Sequence, residues 1–344
     1  MAEPAMTASR PLVSVCVANY DGMALIDDCL QSVLAQDGDI AIEIIVHDDA
    51  SGDGSAAHIR DRYPAVKLIE SQGNVGFCVA NNRMAAQADG QYLLLLNNDA
   101  ALHPDALKTL LAEASRLGRP AILGLPQYDA ASGELVDMGS FFDPFLNPIP
   151  NVEPCSDDVG MVIGACLWIP RPLWNELGGF PEWFGSIAED MYLCFRARLA
   201  GHPVRALASS GYRHWQGKSF GGNRVSDTGL ATTFRRRALS ERNKSFVMVL
   251  TYPASSLWPV LALHLMLLFV EACLLTVVKM DRRFWREIYG PCFRALWRQR
   301  SFLLEMRNDI QNSRRVNAAV LFSVFRWMPY KLLMLVRHGL PRLS

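Results

Sequence analysis

Short apolar runs that alternate with helical patterns constrain this 344-residue chain more than any other feature. Leu12–Ala18 is apolar but for Ser14 and ends in the turn residues Asn19, Tyr20, Asp21 and Gly22; Ile26, Leu30, Val33 and Leu34 then recur at helical spacing. Residues 42–47 form a second run, followed by an acidic turn and a helical pattern from about Ser55. Val66–Glu70 is a third, broken by Gly73-Asn74-Val75-Gly76 before a helix to about Ala88. Tyr92–Leu96 is a fourth, leading into a helix over Pro104–Leu117, where Pro104 suits the first turn. Apolar strands buried on both faces and joined by helices make βαβ units and a parallel sheet. Ligands of such sheets bind beyond the carboxyl ends of the strands, where the acidic and glycine-rich turns of this chain fall.

From about 121 to 170 the helical rhythm stops, Gly and Pro become frequent, and GMVIGACLWIP reads as a strand. Ala188–Ala200 reads as a helix closed by Gly201. The expected architecture is therefore α/β over residues 1–245, followed by a helical region over 246–344.

The two parts differ in charge. Residues 1–230 carry 15 Lys/Arg against 28 Asp/Glu, and residues 231–344 carry 19 against 6, although the whole chain is neutral. Leu257–Val278 is apolar apart from Thr276, His264 and Glu271, and the last two are seven residues apart, on one helical face. That face should turn to protein, headgroups or water. A basic, aromatic segment, Arg282–Arg300, and a second apolar stretch, Val316–Val336 with Arg326 and Lys331, follow. These features fit an anionic membrane surface better than nucleic acid, for which no motif is present. An ordinary helical bundle covering the sheet is the alternative. Eight cysteines without a CxxC pair, among them Cys16, Cys78, Cys166, Cys194 and Cys273 in apolar runs, read as buried reduced thiols. MAEPAMTASRP has no apolar signal core.

Several side chains at the strand ends can carry chemistry. Asp48 and Asp49 can accept hydrogen bonds from a base or ribose, or cap the next helix. Asp99, closing LLLLNND, is a hard oxygen ligand for a divalent cation, or an Asx turn. Asp190, beside Glu189 at the start of a helix, can act as a general base, or both acids can serve the helix dipole. Trp183 and Phe184, just before, can close a sugar pocket. His214 can complete a cation site or be structural.

VSVCVANYDG, HDDASGDGS, NVGFCVANN, LLLLNNDA, VIGACLWIPR, GGFPEWFGSIAEDMYLCFRARLAGH and RHWQGKS stand in the order and spacing of family 2 inverting glycosyltransferases with a GT-A fold. The resemblance covers about residues 11–245 and is nearest the bacterial rhamnosyltransferase-like branch. It implies a nucleoside-diphosphate-sugar donor and a divalent cation, Mg²⁺ or Mn²⁺. It implies that Ala18, Tyr20, Asp48 and Asp49 bind the nucleotide, and that Asn74, Gly76 and Asn81 surround the donor pocket. Asp99 matches the last acid of the metal motif, with Asn97 standing where many members have Asp. Asn97 and Asn98 then join the donor site, and metal binding leans on Asp99, the diphosphate and His214. Asp190 matches the catalytic base, with Trp183, Glu189 and Trp215 as acceptor-site candidates. The Gln-x-x-Arg-Trp signature of processive synthases is missing from the sequence, which implies one addition per encounter. The C-terminal helices match a family habit of reaching polyprenyl-diphosphate-linked acceptors. The expected place is the cytoplasmic face of a bacterial inner membrane, in envelope polysaccharide synthesis.

Two rivals remain. A nucleotidyltransferase would also use nucleotide and Mg²⁺, but the turn ANYDGMAL lacks the Lys or Arg expected there. A non-catalytic membrane scaffold on a transferase-like domain would tolerate loss of Asp99 or Asp190, and both are present.

Overall fold

The computed structural model describes residues 11–153, 156–215, 222–226, 229–339 and 342–343. The N-terminal decapeptide and Gln216–Ser219 of the RHWQGKS motif lie outside the described residues.

The four apolar runs are strands β1 (Val13–Asn19), β2 (Ile42–Asp48), β3 (Lys67–Glu70) and β4 (Tyr92–Asn97). Short strands follow: β5 (Ala100–Leu102), β6 (Ile122–Gly124), β7 (Gln127–Asp129), β8 (Leu135–Asp137), β9 (Ser140–Phe142) and β10 (Pro148–Pro150). Then come β11 (Cys166–Pro170), β12 (Val204–Ala206) and β13 (Tyr212–His214). The main sheet has the order β12-β6-β11-β4-β1-β2-β3. It is parallel except for β11, which runs antiparallel to both of its neighbours. A second sheet has the order β5-β13-β7-β8. His214 is thus the last residue of a strand rather than a residue beyond one.

Side chains along each strand alternate between two cores, which is why the strands read as continuous apolar runs. Val13, Val15, Val17, Leu94 and Leu96 face one core; Cys16, Leu93 and Leu95 face the other. The first core is covered by α1 (Ile26–Leu34), α2 (Ser55–Arg62) and α4 (Ala106–Leu117). In α1 it is the helically spaced Ile26, Cys29, Leu30 and Val33 that are buried. The other core takes α3 (Phe77–Gln87), α5 (Arg171–Leu177) and α6 (Glu189–Leu199). Seven cysteines among the described residues are free thiols. Six are buried, but Cys273, expected to be buried, is exposed because it points away from the protein.

The C-terminal helices begin with α7 (Phe234–Thr251) and α8 (Ala254–Val278). After a π-helical turn at Phe284–Tyr289 come α9 (Gly290–Arg298), α10 (Arg300–Asn312), α11 (Ala318–Phe322) and α12 (Tyr330–His338). The second apolar stretch, Val316–Val336, is therefore two short helices separated at Ser323–Pro329 rather than one span. Helix α7 runs through residue 245, and its Phe246, Val247 and Met248 join the core beneath α6. Leu303, Ile310, Leu321 and Phe325 return to the same core.

Helix α8 has two unlike sides. Leu257, Leu261, His264, Leu268, Ala272 and Leu275 are buried at spacings of three or four, along one helical face. His264 bonds Ser245 Oγ at 3.0 Å, and Glu271 pairs with Arg237 at 2.8 Å and with Lys331. The polar face of this helix therefore turns to protein. Its other side exposes Trp258, Met266, Phe269, Val270, Leu274 and Val277. By length and composition α8 can cross a bilayer, and it is mostly unburied by the rest of the chain.

Candidate active site

Three strand ends meet in register. Asn19 of β1 stands opposite Asp48 of β2, and Ala18 stands opposite Asn97 of β4. The buried Asn19 amide is shared among the motifs: its Nδ2 donates to Asp48 Oδ1 (2.8 Å) and Ser55 Oγ (2.9 Å). Its Oδ1 accepts from Asn98 Nδ2 at 2.9 Å. Gly22 makes this possible, because a Cβ there would lie 2.1 Å from Asn19 Oδ1 and 2.3 Å from Asn98 Nδ2. Asp48 also accepts from the Ser51 backbone N–H at 3.0 Å.

Asp49 reaches across to the next motif. Its two carboxylate oxygens accept from the backbone N–H groups of Val75 (2.6 Å) and Gly76 (2.9 Å) at the start of α3. Gly76 has φ +90°, a conformation that favours glycine, and a Cβ there would press to 3.2 Å on the Gly185 carbonyl. Asn81, also buried, turns its amide to the Phe77 carbonyl at 2.9 Å. Asn74 and Tyr20 are exposed beside this turn and the β1 turn respectively. The two carboxylates of the DD motif therefore hold the surrounding turns together, and each retains lone pairs for a ligand.

Asp99 and His214 are brought together by the second sheet. β13 pairs antiparallel with β5 so that His214 stands opposite Ala100, and the Trp215 N–H donates to the Asp99 carbonyl at 2.9 Å. Asp99 Oδ1 lies 3.0 Å from His214 Nε2, and Asp99 is buried. Among the described residues no group of three or more His, Cys, Asp or Glu could hold a metal ion. A carboxylate and an imidazole side by side nevertheless suit a divalent cation whose remaining ligands come from phosphate oxygens.

Asp190 approaches the same edge through β11. Because β11 is antiparallel to β4, its leading residues Gly164 and Ala165 sit at the carboxyl end of β4. The Asn97 N–H donates to the Ala165 carbonyl at 3.0 Å, and the Gly164 N–H donates to Asp190 Oδ2 at 3.0 Å. Two residues thus link the carboxyl end of β4 to the Asp190 carboxylate. Burial raises the Asp190 carboxyl above its ordinary range, opposed by the Gly164 and Met191 N–H bonds and by Arg236. Glu189 is pushed up to about 8, by burial first and by the Asp190 charge second. Arg236 of α7 lies near both acids, and its own guanidinium is pulled down by burial.

The segment leading into α6 is strained. Ile187 and Ala188 have φ of +70° and +68°, left-handed values that are costly for a β-branched residue. Buried Asn243 of α7 holds them: its Nδ2 donates to the carbonyls of Ile187 (2.7 Å) and Ser186 (2.9 Å). Arg242 Nη2 adds a bond to the Phe184 carbonyl at 2.8 Å. Trp183 packs among Phe184, Phe246 and Phe302, with ring centroids 4.6, 5.1 and 5.3 Å away, at the junction with α7 and α10. Trp215, half-buried, follows His214.

Arg236, Asn243 and the Gly164 N–H escaped the sequence reading. Arg236 and Asn243 lie in the polar RRRALSERNKS stretch, where such residues look like a solvated helical face. Only the burial of Asn243 and of its neighbours Lys244 and Ser245 marks that stretch as part of the interior.

A mainly parallel sheet that gathers the acidic and asparagine-rich strand-end motifs at one edge, with β11 reversed beside β4, defines a GT-A-like fold. Residues 14–171 match the family model for glycosyl transferase family 2. The N-acetylglucosaminyl-diphospho-decaprenol L-rhamnosyltransferase of Mycobacterium tuberculosis is 26% identical over 211 residues, 52% of this chain and 68% of that protein. S. aureus TarS 1-349, solved in complex with UDP-GlcNAc, superimposes with a TM-score of 0.55 over 88% of this chain and 89% of that one, at 17% identity. The mannosyltransferase PcManGT of Pyrobaculum calidifontis, solved with GDP-Man and Mn2+, does so with a TM-score of 0.51 over 92% and 86%, at 18% identity. The two superpositions bear on the fold alone. Residues 14–171 thus match a family 2 glycosyltransferase domain, and the protein is a glycosyltransferase.

Proposed function

We propose that this enzyme moves one sugar, with inversion, from a nucleoside diphosphate to a hydroxyl of a glycan or polyprenyl-diphosphate-linked acceptor at the cytoplasmic face of a bacterial membrane. The Mycobacterium tuberculosis relative makes rhamnose the first donor sugar to try and envelope polysaccharide synthesis the natural setting. The observation that carries the reading is the Gly164–Asp190 bond, which sets a burial-raised carboxylate against the edge where Asn97 ends β4 and Asp99 follows in the turn. The nucleotide would lie over Ala18, Tyr20, Asp48 and Asp49, with its diphosphate toward Asn97 and Asn98. A divalent cation held by Asp99 and His214 would neutralise the diphosphate charge. Asp190 takes the proton of the acceptor hydroxyl. The hydroxyl oxygen forms its bond to the anomeric carbon as the bond from that carbon to the diphosphate breaks, and the nucleoside diphosphate departs. Glu189, carrying a proton at neutral pH, can donate a hydrogen bond to the acceptor without competing for its proton. Inversion needs this one base and no covalent intermediate.

Residues 1–245 would form the transferase unit. Residues 246–344 would hold it on the membrane through the exposed apolar side of α8 and the basic residues after it. The test is incubation of membranes containing the full chain with a panel of labelled nucleotide sugars, beside the Asp190→Asn variant. Label entering the lipid-extractable fraction only with the parent chain supports the reading. Equal labelling by both rejects Asp190 as the base.

A further inference from the structure

A cavity of about 600 Å³ opens on the C-terminal region, away from the strand-end site. Its lining is Phe269 from the bilayer-compatible side of α8, Trp285 and Arg286 from the π-helical turn, and Gly290, Phe293 and Arg294 from the start of α9. The three rings form one apolar wall: Phe269 meets Trp285 edge-on at 5.9 Å, and Trp285 meets Phe293 at 6.2 Å. The local geometry makes room for it. Pro291 lacks the N–H that an unbroken α-helix would use, and the backbone passes through a wider π turn of the kind that recurs at functional sites. Gly290 contributes no side chain, and a Cβ there would meet the Trp285 carbonyl at 2.7 Å.

Arg286 and Arg294 are exposed at this cavity, and among the described residues neither forms an ion pair. The Arg294 Nε bond to the Gly290 carbonyl, at 3.3 Å, leaves its terminal nitrogens available. An apolar aromatic wall beside two unpaired guanidinium groups matches a molecule that is hydrocarbon at one end and phosphate at the other. We infer that this cavity binds an anionic membrane phospholipid, with an acyl chain against Phe269, Trp285 and Phe293 and the phosphate on Arg286 and Arg294. The inference rests on the membrane reading of the C-terminal helices and goes beyond it, because a diffuse basic surface beside an apolar helix would share the attraction among all its charges and hold no single lipid.

The experiment is flotation of the purified full chain with phosphatidylcholine vesicles, with vesicles doped with phosphatidylglycerol, and with vesicles doped instead with a polyprenyl phosphate. The wild type should prefer phosphatidylglycerol vesicles, and Arg286→Gln/Arg294→Gln should weaken that binding roughly 30-fold, about 5-fold per charge. The charge-matched pair Arg282→Gln/Arg298→Gln, on exposed positions outside the cavity, should lose much less. Equal losses for the two pairs would mean a diffuse basic surface and would overturn the site. A preference seen only with polyprenyl phosphate would overturn the phospholipid assignment. Binding to all vesicles without preference would overturn the inference while the membrane reading stands; binding to none would remove both.

Discussion

Replacing Asn243 with Ala tests how the site is held. The Asn243 amide nitrogen has two hydrogens, and the Ile187 and Ser186 carbonyls lie 2.7 and 2.9 Å away. Removing the side chain deletes these two hydrogen bonds and the one its Oδ1 accepts from Arg242 Nε at 2.9 Å, each worth about 0.5–1.5 kcal/mol, and leaves buried acceptors that cost about 1–3 kcal/mol. The expected loss of stability is about 2–4 kcal/mol, a drop in melting temperature of roughly 2 °C per kcal/mol for a chain of this size. The catalytic loss should be larger in proportion. Ile187 and Ala188 hold left-handed conformations that cost on the order of 1–3 kcal/mol each, so the freed segment relaxes and carries the first turn of α6 with it. A shift of about 1 Å at a catalytic group costs about 10²-fold in rate. Turnover should therefore fall about 10²-fold while donor KM changes little, because the Asn19–Asp48–Asp49 network lies on other elements. Arg242 still holds the Phe184 carbonyl, so the fold survives. Thermal melting and steady-state kinetics with the best donor decide the matter. A variant with wild-type turnover, whatever its melting point, refutes the claim that α7 positions Asp190.

Asp190→Asn should lower turnover about 10²–10⁴-fold with donor affinity retained, measured as separate kcat and calorimetric Kd values. Because burial raises the Asp190 carboxyl, the parent's rate should decline on acidification through a point above the ordinary 3.8, and a rate flat to below that value would contradict the assignment. Glu189 is pushed from 4.5 to about 8, so between those values the folded protein holds a proton that the unfolded chain has released, and stability should fall as pH rises through that window. Glu189→Gln should flatten this dependence, by about 1.4 kcal/mol per pH unit spanned, in denaturant melts at several pH values. Asp99→Ala should remove any metal dependence of donor affinity, with His214→Ala milder; calorimetry with and without Mn²⁺ reads both. Met266→Gln/Val270→Gln/Leu274→Gln, on the exposed side of α8, should move the full chain from the membrane to the soluble fraction, and unchanged fractionation would leave that side without a membrane role.

Residues alone were enough to place the strand-and-helix frame, since a strand buried on both faces has to read as an unbroken apolar run. Val15, Cys16 and Val17 belong to opposite cores, yet all three look alike in sequence. The strand-end motifs were visible for the same reason: polar residues that interrupt such runs end the strands. What sequence could not supply was the pairing of distant segments. Only the reversal of β11 brings the Gly164 N–H to Asp190, and only the β5–β13 ladder sets His214 against Asp99. The role of α7 was hidden because Asn243 and Lys244 look solvated until the helix is seen to run through the core. On α8 the spacing of His264 and Glu271 showed that they share a face, but not which partners that face meets. The tertiary structure turns it to Ser245, Arg237 and Lys331 and leaves the apolar side outward, because buried polar groups require hydrogen-bonding or charged partners that a hydrocarbon surface does not provide.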